Sequence, residues 1–157
     1  MVFVISSASL LLMQCGGGNK IPPIPSKITQ VNDSIYAITI ADSICFNWNK
    51  FSGDVERDSA FELIKNNIQY FQQPLFQAFM DTTFTPFLYC NSDPLRAGDL
   101  VFILLDDIKR IPLSVYTGVQ FCVFDSCFHF EGLLEALNIN RSQLYDSLVV
   151  RYPRSTP

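Results

Sequence analysis

Cys122, Asp125, Cys127 and His129 stand within eight residues of one another, the densest run of reactive side chains in the chain. All three residue types ligate metals, and on an extended segment Cys127 and His129 would face the same side. A structural zinc site uses four ligands with tight pairs such as C-x2-C. Here the spacing is C-x4-C-x-H and the neighbouring sequence offers no fourth ligand, so Cys122, Cys127 and His129 are weak metal candidates. A nucleophilic Cys–His pair needs an imidazole beside the thiolate and a third group to orient it. Asp125 could orient it, but all three groups lie in one short segment. His129 is the single histidine and is flanked by Phe128 and Phe130. The run is read as core packing or a disulfide.

Paired carboxylates meet the same test. Asp106 and Asp107 are adjacent, and Glu131 and Glu135 would share a helix face. Acid–base work on sugars needs one carboxyl in an apolar pocket, and solvated helix faces carry the same pattern. The sequence has no Gly-rich phosphate loop, G-x-S-x-G elbow or H-E-x-x-H pair. No catalytic residue is assigned, and no cofactor is expected. Phe121, Phe124, Phe128 and Phe130 could line a pocket for an apolar ligand, with core packing the favoured use. A net charge of −4 argues against nucleic acid as a partner.

The chain opens MVFVISSASLLLMQCGGGNK, and compartment turns on this stretch. Val2–Met13 is apolar apart from three serines. As a helix it rises about 18 Å, against a hydrocarbon core of about 30 Å. That is the size of the apolar region of a secretory signal. Cys15 follows at once, then Gly16, Gly17 and Gly18, a poor continuation for a packed helix. The residues Leu12, Met13, Gln14 and Cys15 closing an apolar run resemble a bacterial lipoprotein signal. The resemblance implies cleavage before Cys15 and acylation of its sulfur. Gly16, where the class uses Asp for inner-membrane retention, implies an outer-membrane anchor facing the periplasm. A plain cleaved signal and a buried N-terminal element are the alternatives. Pro22, Pro23 and Pro25 favour the anchored reading, because they cannot continue a helix and suit a stiff, extended tether. The expected organisation is a signal peptide over 1–14, a lipidated cysteine with a Gly/Pro-rich tether over 15–27, and a globular domain over 28–157.

Charged residues make up 17% of the chain and aromatics 13%, with fourteen Phe, so the domain is aromatic-packed and ordered. If Cys15 is acylated, Cys45, Cys90, Cys122 and Cys127 remain, an even number in an oxidising compartment. They could pair as disulfides, the alternative being four buried thiols that pack as small hydrophobes. Proximity favours Cys122–Cys127 with Cys45–Cys90, although four thiols allow other pairings.

These residues must be positioned by an α+β body with several amphipathic helices and more helix than strand. Ser34–Ile40 and the alternating run from Ile44 to Asn49, joined by Ala41, Asp42 and Ser43, predict an N-terminal β-hairpin. Asp58 is placed to cap a helix bearing Phe61, Ile64, Ile68 and Phe71 at helical spacing. Pro74 should end that helix and start a second over Leu75–Met80. Asp93 and Pro94 repeat the cap-then-proline pattern. Leu100–Leu105 could be a buried strand, but Leu100, Val101, Leu104, Leu105 and Ile108 share a helical face and Asp106 pairs with Arg110 at i,i+4. Period-two alternation predicts a further strand near 113–125, bent at Gly118. Asn140 and Gln143 have the form of a capping box that opens a last helix running to Pro153. The functional expectation is a lipid-anchored cell-envelope protein with a non-catalytic binding or structural domain, partnered by the membrane and by an envelope protein. The alternatives are a carrier of an apolar ligand and a small thiol-dependent or hydrolytic envelope enzyme.

Overall fold

Alternation and turn chemistry build the first layer. The strands β1 (Lys27–Gln30), β2 (Ile35–Ile40), β3 (Ile44–Asn49) and β4 (Asp54–Val55) form an antiparallel sheet in that order. The computed structural model describes residues 26–89, 93–109 and 132–153. β2 and β3 make the predicted hairpin, with Ile38 opposite Phe46 and Ile40 opposite Ile44. Ala41 and Asp42 at its turn have φ of 49° and 55°, the left-handed geometry that suits the twist of a hairpin. Ile38, Ile40, Ile44, Phe46 and Trp48 are buried on the inner face.

The helices α1 (Ser59–Asn66) and α2 (Ile68–Phe79) follow, then a two-stranded ribbon of β5 (Phe84–Tyr89) and β6 (Asp93–Arg96). The helix α3 (Ala97–Lys109) comes next, and α4 (Leu133–Arg151) closes the described chain. The result is a small single α+β domain. Every residue from Leu100 to Leu105 is buried, so α3 is wrapped on all sides rather than seated on one stripe. Phe79 of α2 packs on Phe102 of α3 with ring centroids 5.8 Å apart. Phe87 of the ribbon meets Tyr36 edge-on at 4.9 Å, which joins the ribbon to the sheet. The end of α4 lies on α2, where the Gln73 amide donates to the Tyr152 carbonyl at 3.0 Å.

Asp58 caps α1 as expected, its carboxylate accepting from the Ala60 and Phe61 N–H groups at 3.0 and 3.1 Å. Three local expectations are corrected. The helix breaks at Asn67, whose amide donates to the Leu63 carbonyl at 2.8 Å, and Pro74 lies inside α2. A proline removes the donor for the carbonyl four residues back. Here that carbonyl belongs to Tyr70, whose side chain is exposed, and Leu75, Phe76 and Phe79 beyond the proline are fully buried. Asp93 and Pro94 belong to a strand, and α3 begins at Ala97. Asn140 lies within α4 and donates to the Ala136 carbonyl at 3.1 Å, so the helix begins seven residues earlier, at Leu133.

The disulfide expectation is also corrected. Cys45 is free and exposed, because β3 turns Ile44, Phe46 and Trp48 inward and Cys45 outward, opposite Thr39. This rules out the Cys45–Cys90 pair, and there is no disulfide among the described residues. Cys15, Cys90, Cys122, Cys127 and His129 lie outside those residues, as do the strand near 113–125 and the whole of 1–25. Among the described residues no helix is long and apolar enough to cross a membrane.

Candidate functional site

Among the described residues, buried charge is concentrated where α2 ends and α3 and α4 meet. Asp99 is the third residue of α3, a position from which a carboxylate can reach back to the N–H preceding the helix. It does so, accepting from the Arg96 N–H at 2.7 Å through Oδ2. Its Oδ1 accepts from Nη2 of Arg141 on α4, and Nη1 of Arg141 donates to the Phe79 carbonyl at 2.7 Å. The side chains of Arg141 and Asp99 are only 6% and 3% exposed, so this pair is shielded from solvent. The guanidinium carbon also lies 5.0 Å from the centroid of the Phe79 ring, within cation–π range.

Asp81, two residues past α2, is the second buried carboxylate. Its Oδ2 accepts from the Ser26 N–H at 3.0 Å and its Oδ1 from the Thr83 N–H at 2.9 Å. Burial pushes this carboxyl up, but the Ser26 and Thr83 N–H groups outweigh it and hold it below the ordinary aspartate value. The Asp81 carbonyl accepts from the Gly98 N–H at 2.8 Å. A Cβ at residue 98 would come within 2.2 Å of the Phe79 oxygen, 2.6 Å of Arg141 Nη1 and 2.8 Å of the Asp81 oxygen. Glycine lets α3 start directly against the end of α2.

This node joins the start of the sheet, two helix ends and the last helix. The guanidinium's two terminal nitrogens, both Asp99 oxygens and both Asp81 oxygens are engaged by groups of the protein. Its chemistry is that of a structural ion pair that fixes orientation, and among the described residues the Arg141 Nε donor is buried without a partner.

Two further acids work locally. Asp58 is pushed up by burial, but bonds from the Asn47 amide and the Phe61 and Ala60 N–H groups outweigh this and leave its carboxyl lowered. Arg57 forks onto Asp107 at 2.9 and 3.3 Å, and that bond with the carboxylate charge raises the guanidinium pKa. Asp107, read above as part of a carboxylate pair, thus braces α3 against the segment before α1. Glu135 is exposed on α4 and Glu131 lies outside the described residues. Among the described residues no three metal-ligating side chains gather. Ser142, Gln143, Asp146, Ser147 and Val150, on the outward side of α4, line an open groove of about 550 Å³.

Of the sequence-predicted site residues that the structure describes, Cys45, Asp106, Asp107 and Glu135, none bonds to Asp81, Asp99 or Arg141 in the interactions given above. Asp81, Asp99 and Arg141 form no short-range motif, because their partners lie far apart in the sequence. The available signal was Arg141 itself, occupying a core position in the stripe of Leu137, Leu144 and Leu148, all buried. A charge there needs a buried partner. Comparison of the chain with protein-family models, with characterised proteins and with solved structures gives no match.

Proposed function

We propose that this chain is a lipid-anchored cell-envelope protein, held through Cys15, whose domain binds or supports a partner without catalysing a reaction. The chain order supports this: an apolar run, Cys15, three glycines, three prolines, and then the folded body from Ser26. The observation that carries the reading is the grip on Ser26. The first residue past the prolines donates its N–H to the buried Asp81 carboxylate at 3.0 Å, so the described body begins, directly after the proline-rich segment, with a bond to the buried node. The buried charges beyond it support a structural or binding role, since they tie elements together.

Cys15→Ser tests the anchor. In a bacterial host the wild-type chain is expected in the membrane fraction, with an intact mass lacking Met1–Gln14 and carrying acyl groups. The serine variant is expected in the soluble fraction. Retention of the variant in membranes, or a wild-type mass that is unprocessed, refutes the reading.

A further inference from the structure

The four strands of the main sheet are not equally held. Of β1, Lys27, Thr29 and Gln30 are exposed, and Ile28 alone packs against the core as a partly buried residue. The β2–β3 ladder instead carries Ile38, Ile40, Ile44, Phe46 and Trp48, each at most 2% exposed. Among the described residues β1 has one neighbouring strand, β2, and forms the edge of the sheet.

Two polar clamps hold the ends of β1, and they differ in reach. At the far end Asn32 Oδ1 accepts from the Ser34 N–H at 2.9 Å, the Ser34 hydroxyl at 3.0 Å and the Ile35 N–H at 2.8 Å. That clamp is local to the turn and does not depend on the strand staying in place. At the near end the Ser26 N–H reaches the Asp81 carboxylate across fifty-five residues of sequence. It is made only when the strand lies down.

We propose that β1 is a hinged strap. It pivots at the Asn32 turn and opens from Ser26 as one unit while β2, β3 and the helices stay folded. Segments with few buried apolar contacts and solvent-facing backbone bonds open at a free energy far below global unfolding. β1 fits that description and β2–β3 does not. Opening uncovers the backbone groups along the edge of β2, a row able to pair with another extended chain. The strap is independent of whether Cys15 carries lipid.

Native-state hydrogen exchange on the full chain, followed by NMR at rising sub-denaturing urea, tests this. Amides of β1, and those of β2 that bond to it, are expected to exchange on the order of a hundredfold faster than amides bonded between β2 and β3. Their rates should respond weakly to urea. Ser26→Pro deletes the clamp's donor and leaves Asp81 its bond from Thr83. It is expected to speed the β1 set by roughly ten- to a hundredfold, the worth of one hydrogen bond to a charged group, with β3 and α3 amides unmoved. Ile28→Ala, which removes the strap's core contact, should give the same pattern. Exchange of β1 and β3 amides at one common rate, or equal acceleration of all amides in both variants, overturns the strap.

Discussion

Gly98→Ala sets two ordinary effects against each other. Alanine is the better helix former, and on propensity alone the change would stabilise α3 by roughly 0.5–1 kcal/mol. The added methyl would sit 2.2 Å from the Phe79 oxygen and 2.8 Å from the Asp81 oxygen, both backbone atoms, and 2.6 Å from Arg141 Nη1. Arg141 is itself held by Asp99 and by the Phe79 carbonyl. Relief therefore means moving the start of α3 away from the end of α2 by about an ångström. That stretches the Gly98–Asp81 and Arg141–Phe79 hydrogen bonds, now 2.8 and 2.7 Å. Overpacking costs about 1–3 kcal/mol, and the weakened bonds add about 1 kcal/mol or more. After the propensity gain, a net loss of roughly 1–3 kcal/mol is expected. Urea unfolding at neutral pH should show a lowered midpoint with unchanged slope, and melting should fall by roughly 3–12 °C. A variant as stable as the wild type, or more so, refutes the account of the helix junction.

The buried ion pair makes a second prediction. Arg141→Met strands the Asp99 carboxylate and the Phe79 carbonyl and should cost about 3–5 kcal/mol, while Asp99→Leu combined with Arg141→Met should recover part of it, the Phe79 carbonyl and the Arg96 N–H staying unpaired. A double variant no better than the single in urea unfolding contradicts that reading of the node. Acid stability gives the third. Asp58 and Asp81 both titrate below the ordinary aspartate value when folded, so their bonds contribute fully above about pH 3.9 and are lost as pH falls through the lowered folded values. The urea midpoint should be level between about pH 7 and pH 5 and fall below about pH 4. Asp81→Asn should lower the neutral plateau and flatten that fall, and an unchanged acid limb counts against the assignment.

What could be read from the sequence was structure that a short window contains. The β2–β3 hairpin shows as alternation on both sides of a turn, and α3 shows because Asp106 and Ile108 extend its helical period past an ambiguous apolar run. The cap at Asp58 is local and correct. Failures came where a distant contact decided the outcome. Pro74 looks like a stop, but packing of Leu75, Phe76 and Phe79 carries α2 through it. Asn140 looks like a start because Arg141 interrupts the apolar stripe of α4, yet Arg141 is itself buried there. β5 was not expected at all. It is apolar on both faces and holds Pro86, which argues against a central strand but is accommodated in a ribbon with a register shift between Phe84 and Leu88. The node of Asp81, Asp99 and Arg141 joins residues forty-two and more positions apart, a distance that no local pattern spans.

The buried pair also sets the order in which the chain can close as it is made. Asp99 leaves the ribosome forty-two residues ahead of Arg141, an interval of about 2–8 s at 5–20 residues per second. Through that interval α3, which folding will bury on every side, has its carboxylate without its guanidinium. The last helix, and not the apolar middle one, completes the ion pair. A nascent chain cut short before Arg141 leaves Asp99 without its guanidinium, a charge that must stay in water at the start of an apolar helix, the kind of incomplete fold that chaperones and proteases triage.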